Sequence, residues 1–190
     1  MSEFYLYSIG HGNKSMDEFM SELQQFSIKY LIDVRSKPYS KYYPHFNKEQ
    51  LITYFSAQDI VYDWWGEMIG GLPPASWNCI TSEGKVDYEK MSHNQTFIKG
   101  IERLVKANEK HCKTAIMCSE SDPHICHRSK LIGKMLAERG VELQHIVLNK
   151  MGNAIIRPQS DIFTDIINDV RDLFSNDIVN IKLTSVNAHV

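Results

Sequence analysis

Thr114–Arg128 reads TAIMCSESDPHICHR, and the fold follows from how it is divided. Thr114 to Met117 is a short apolar run of the kind a fully buried strand shows. It ends at Cys118, Ser119 and Glu120, and Asp122-Pro123 signals a turn. Cys126, His127 and Arg128 then open an amphipathic helix, with Leu131, Ile132, Met135 and Leu136 at helical spacing and Gly140 as its stop. One thiol therefore sits at the carboxyl end of a buried strand. A second thiol, an imidazole and a guanidinium sit at the start of the next helix. In open α/β sheets ligands bind along that edge, and helix N-termini bind anions and favour thiolates.

The same alternation extends in both directions. Phe4–Ile9 is a strand that leaves through Gly10-His11-Gly12-Asn13. Ser15 and Glu18 form a capping box for a helix with Phe19, Leu23 and Phe26 on one stripe. Tyr30–Val34 is a second strand, leaving through Arg35. Asn47 with Gln50 caps a second helix, Ile60–Asp63 is a short third strand, and Ser92 or Asn94 starts a helix through Leu104. Val141–Leu148 is a fifth strand. Ser160 caps a last helix carrying Ile162, Phe163, Ile166, Ile167, Val170 and Leu173. Strands alternating with helices predict an α/β, three-layer fold: a mostly parallel sheet of about five strands, helices on both faces. Right-handed crossovers place every strand exit on one rim, bringing together the Gly10–Asn13, Asp33–Ser36 and Cys118–Glu120 exits.

The chain has 190 residues, 43% hydrophobic and 23% charged, with a net charge of −2 and four cysteines. These values fit one soluble globular domain over residues 1–190, with 64–92 as an irregular lid or binding loop and 177–190 as a tail. They exclude a disulfide framework and a global basic field. Met1-Ser2-Glu3 does not open a signal peptide and no run reaches membrane-spanning length, so a cytoplasmic setting with reduced thiols is expected, with no membrane partner.

Four stretches together, SIGHGN (Ser8–Asn13), LIDVRSKPYSKYYPHFN (Leu31–Asn47), IGG (Ile69–Gly71) and MCSESDPHICHR (Met117–Arg128), closely resemble the signature of the DUF488 family. That resemblance implies membership without implying an activity. Two positions depart from the pattern: Gly12 stands where Ser or Thr is usual, and Lys41 where Arg is usual. A weaker, fold-level likeness is to rhodanese-type domains, in the LIDVR strand and the cysteine at a strand end. The interval from Cys118 to Arg128 is too long for their tight cysteine–arginine cradle.

The residues point to chemistry at the rim. Cys118 or Cys126 is the candidate reactive thiol, and His11, Glu120 or His127 the candidate proton carrier, His11 with a pKa near neutrality. Cys118 and Cys126 could also exchange between dithiol and disulfide. A metal site is disfavoured, because C-x7-C-H is not a standard zinc spacing and adjacent Cys126 and His127 point apart on a helix; no cofactor is expected. Arg35 and Arg128 would grip an anion from both sides, or Arg35 would pair with Asp33 or Glu120. Asp33 is as apt to cap backbone amides. Asn13, Tyr43, Phe46 and Asn47 complete the candidate binding set. Lys29–Gln50 holds five positive against two negative residues, interleaved with Tyr39, Tyr42 and Tyr43, a composition that binds nucleotides or single strands. The expected partner is a small anionic ligand or nucleotide, with nucleic acid open. The reading is an enzyme on such a substrate. The alternatives are a nucleic-acid or nucleotide binding module with structural cysteines, and a thiol-redox or metal-sensing protein.

Overall fold

A computed structural model describes residues 3–168. The expected tail 177–190, and Val170 and Leu173, lie outside the described residues. One sheet runs through the molecule in the order β3-β2-β4-β1-β5-β6. β1 (Leu6–Gly10), β2 (Tyr30–Asp33), β3 (Val61–Trp64), β4 (Thr114–Cys118) and β5 (Gln144–Leu148) are parallel, and β6 (Ala154–Pro158) pairs antiparallel with β5. β6 is the strand the sequence pattern hides. It is short, half-buried and ends in proline, which an edge strand tolerates and a central one does not.

Side-chain alternation along the strands builds two cores, one on each face. Tyr7, Ile9, Leu31 and Met117 pack with Phe19 and Leu23 of α1 (Met16–Gln25) and with Leu51 and Phe55 of α2 (Lys48–Phe55). Leu6, Ile32 and Ile116 face the opposite way. They meet Phe97, Ile101 and Leu104 of α5 (Gln95–Glu109) and Leu131, Ile132 and Met135 of the helix after β4. The connections leaving β1 and β4 therefore turn to opposite faces from adjacent strands. That divergence opens a crevice at the carboxyl rim.

Local chemistry explains the element boundaries. The capping box forms: the Ser15 side chain accepts from the Glu18 amide, and Glu18 accepts from the Ser15 amide. Asn94, not Ser92, caps α5. Asn47 stands at the cap of α2 without capping it, because its Oδ1 accepts from Ser40 N at 2.6 Å and ties down the preceding loop. The last helix already includes residue 159, so Ser160 is not its cap. The expected helix at Arg128 begins as a π-helical segment, Arg128–Gly133, and becomes α-helical only over α6 (Lys134–Ala137). Segment 64–92 is more ordered than a lid. It folds α3 (Gly66–Ile69) against α5 and α4 (Tyr88–Ser92) next to it, and buries Trp65, Ile69, Cys79 and Met91.

Candidate functional site

The exits of β1, β2 and β4 do meet. They line two adjoining clefts that share Arg35, Lys37, Ser119 and Glu120. The first, about 430 Å³, adds His11, Tyr39, Ser40 and Tyr43. The second, about 330 Å³, adds Gly71, Leu72, Tyr88, Cys118, Cys126 and His127. Arg35 and Cys118 leave opposite faces of the sheet, so His11, Arg35 and Cys118 border a divided cleft rather than one pocket.

On the first side the buried groups Asp33, Arg35 and His11 are paired with one another. Asp33 is fully buried, and its oxygens accept from Arg35 Nε at 2.9 Å, Arg35 NH2 at 2.6 Å, Arg35 N at 3.0 Å and the Tyr62 hydroxyl at 2.9 Å. Arg35 NH2 also donates to the Phe46 carbonyl at 2.7 Å. Arg35 thus takes the structural partner Asp33, not Glu120. The phenol of Tyr62 is pushed up, by burial first and by the Asp33 charge next. His11 lies flat on the Phe46 ring, centroids 4.3 Å apart. Its Nδ1 is 2.9 Å from the Gly12 carbonyl, which places the proton on Nδ1 and leaves Nε2 to accept from Arg35 NH1 at 3.3 Å. Burial, then the Arg35 charge, pull its pKa down to about 4. The expectation of a near-neutral proton carrier at His11 fails for that reason: the ring is neutral and both nitrogens are engaged. NH1 of Arg35 keeps a second hydrogen without an acceptor among the described residues.

Nearby positions serve the loops. Phe46 is buried beneath His11, Tyr43 borders the cleft, Asn47 braces Ser40, and Asn13 is exposed outside both clefts. The departure at Gly12 has a local cause. Its φ is +52°, and a β-carbon there would lie 2.2 Å from Ser121 Oγ. The turn that brings the β1 and β4 exits together therefore selects glycine in this chain.

The second side holds the thiols. Cys118 ends β4, and Cys126 lies in the turn before the π segment. The two sulfurs and a ring nitrogen of His127 lie within 4.8 Å of one another, with His127 Nδ1 at 3.7 Å from Cys126 Sγ and 3.8 Å from Cys118 Sγ. Cys126 and His127 were expected to point apart on a helix. They converge because His127 only caps the helix and Cys126 precedes it. The His127 ring lies against Gly71, where a β-carbon would approach its Cγ to 2.9 Å. That close approach is the structural use of the IGG stretch. His127 Nε2 is buried without a hydrogen-bond partner.

Arg128 is 1% exposed and lines neither cleft. It does not grip a ligand opposite Arg35, as the sequence led us to expect. Its long side chain instead turns beneath the site. Nε donates to Cys126 Sγ at 3.3 Å, NH1 to Ser8 Oγ at 3.0 Å, and NH2 to the Glu120 carbonyl. None of its ion-pairing distance is filled by a carboxylate among the described residues. Cys126 is held at about 6, by the hydrogen bond from Cys118 first and by the Arg128 charge against the cost of burial. Cys118, the donor of that bond and itself buried, is pushed up to about 12. One proton thus stays on Cys118 while Cys126 is a thiolate. Cys118, and Arg128 through its charge and its backbone amide at the helix start, stabilise it. A metal ion on Cys126 would sit beside a buried guanidinium already bound to the same sulfur, so the donor set suits a thiolate better than a metal ligand set.

Behind Arg128 runs a network that sequence reasoning missed. Ser8 Oγ is 2.6 Å from His145 Nδ1, His145 Nε2 is 2.8 Å from Gln159 Oε1, and Gln159 Nε2 donates to Ser129 Oγ at 2.8 Å. With Arg128 donating to Ser8, the directions close with a neutral His145 that carries its proton on Nε2. Burial drives its pKa down to about 4, which fits. The available signal was a polar side chain at a buried strand position, Ser8 in LYSIG and His145 in QHIVL. Lys37, Ser119 and Tyr88 are further wall residues absent from the expected set.

Among the described residues no helix is long and apolar enough to cross a membrane. No curated protein and no solved structure matches the chain, so the rhodanese-type likeness gains no support. The sequence profile described as domain of unknown function DUF488 matches residues 15–135 and thus takes in the Arg35 exit, the IGG stretch and both site cysteines; the chain belongs to the DUF488 family.

Proposed function

We propose that this protein is a thiol-dependent enzyme with Cys126 as nucleophile and an anionic, phosphate-bearing substrate, a nucleotide being the best fit. The observation that carries the reading is the buried Arg128 guanidinium on Cys126 Sγ at 3.3 Å. A thiolate at neutral pH is a strong nucleophile, and this one borders an open cleft. The sulfur attacks an electrophilic centre, and the leaving group departs with its bonding electron pair. Glu120, exposed and shared by both clefts, is the carboxylate able to take a proton from water in a second step. His127 sits within reach of both sulfurs.

The substrate class rests on the other cleft. Lys37 and the remaining hydrogen of Arg35 NH1 supply positive groups there. Tyr39, 72% exposed, and Tyr43 offer ring faces beside them. Aromatic faces next to cations suit a base and its phosphate. Competitive alkylation tests this reading. The rate ratio of iodoacetate to iodoacetamide should be higher at Cys126 than at Cys112, and a nucleoside phosphate should protect Cys126. Lys37→Ala should remove both effects. Equal ratios at the two cysteines, with no protection by nucleotide, would leave only a fold with unused thiols.

A further inference from the structure

We propose that Cys118 and Cys126 form a peroxide-responsive dithiol, in which Cys126 is oxidised and Cys118 resolves it as an intramolecular disulfide. The inference deepens the thiolate reading of Cys126 and rests on it. Of the four cysteines only these two converge. Cys79 Sγ is turned to the Trp77 carbonyl and Cys112 Sγ to the Lys110 carbonyl. Cys118 and Cys126 have their sulfurs within 4.8 Å, border the same cleft, and are joined by a loop whose Ser119–Asp122 stretch is exposed. A disulfide requires about 2.05 Å between sulfurs. The remaining gap is the kind of movement that a loop between the two residues can absorb.

The chemistry balances with a hydroperoxide as the named oxidant. The Cys126 thiolate attacks the outer peroxide oxygen and the O–O bond breaks. Sulfur gives up two electrons and keeps that oxygen as the sulfenic acid, and the other oxygen leaves as an alcohol, or as water, with a proton from solvent. Cys118 sulfur then displaces the hydroxyl of the sulfenic acid. The S–S bond forms, and the Cys118 proton leaves with the hydroxide as water. A dithiol reductant returns both thiols.

Arg128 determines how the couple behaves. In the reduced state its charge is matched by the Cys126 thiolate, and in the disulfide that match is gone. Stabilising the reduced thiolate raises the reduction potential, so this disulfide is readily reduced, as a switch is and a structural staple is not.

The test is brief exposure of the folded protein to hydrogen peroxide, followed by alkylation and peptide mass analysis. The expected product is a Cys118–Cys126 disulfide lighter by two hydrogens, with Cys79 and Cys112 alkylated, and reversed by millimolar glutathione. In Cys118→Ser a dimedone adduct should accumulate at Cys126. If Cys126 stays fully alkylatable after peroxide in the wild type, or if the disulfide joins other cysteines, the inference is overturned. Iodoacetamide capture of Cys126 in the reduced protein runs alongside. Rapid capture without disulfide formation removes the redox couple and leaves the nucleophile reading intact, whereas slow capture removes both.

Discussion

The two halves of the rim each contain a buried arginine, and the two are satisfied in different ways. Arg35 has Asp33, a carboxylate two residues away, and the pair closes on itself but for one NH1 hydrogen. Arg128 has a hydroxyl, a carbonyl and a sulfur. A buried guanidinium needs a counter-charge, and the thiolate of Cys126 is the anion on its side of the rim. The same residue type therefore braces a loop in one half and sits on a sulfur in the other. What differs is the partner: a carboxylate in one half and a thiol, held at about 6, in the other.

The largest expected effect breaks the closed half. Asp33→Asn leaves the Arg35 charge buried without its anion and should destabilise the fold by about 3–5 kcal/mol, read from denaturant unfolding. A loss under 1 kcal/mol would show that Arg35 does not depend on Asp33. Cys126→Ser is the matching change in the open half. It should cost several kcal/mol at pH 8, and distinctly less at pH 5, where the wild-type thiol is protonated as well.

Acid sharpens the contrast. His11 and His145 both titrate in the folded state at about 4, against 6.5 when free. Their folded values are depressed, so their contribution is fully present above pH 6.5 and is lost as pH falls through 4. Each shift corresponds to roughly 2–3 kcal/mol once partial solvent relaxation is allowed for. Cys126 acts in the same direction over a higher window, between 9 and 6. Unfolding followed from pH 8 to 4 should show stability falling throughout, with His145→Phe flattening the lower part of the curve. A flat profile from pH 6.5 to 4 would contradict the neutral, fully bonded histidines.

The smallest effect concerns Gly71. Its alanine variant places a β-carbon against the His127 ring and should cost about 1–3 kcal/mol. It should also change Cys126 alkylation, because His127 Nδ1 lies 3.7 Å from Cys126 Sγ and 3.8 Å from Cys118 Sγ. Unchanged alkylation would show that His127 does not shape the thiol pair.

Much of this was legible in the sequence where local rules decide. The Ser15–Glu18 capping box, the buried TAIMC run and the meeting of the three polar exits follow from propensity, periodicity and handedness. The nearness of Cys126 to Arg128 was legible too, since only one residue separates them. What could not be read depends on where long side chains turn. Arg128 has four rotatable bonds, and nothing local says that it bends under the rim to Ser8, 120 positions away in the chain. Cys126 and His127 lie ahead of the π segment, in a turn that helical spacing does not encode. β6 lies at the sheet edge, is only half-buried and ends in a proline, so it does not stand out as a strand.

The central claim is that the Cys126 thiolate is the counter-ion of buried Arg128. It is tested most directly by the rate of Cys126 alkylation by iodoacetamide as a function of pH, read by peptide mass in the folded protein. The account predicts a midpoint near 6, rising in Arg128→Met, which removes the guanidinium from the same sulfur. A wild-type midpoint near 9, that of an ordinary thiol, would contradict it.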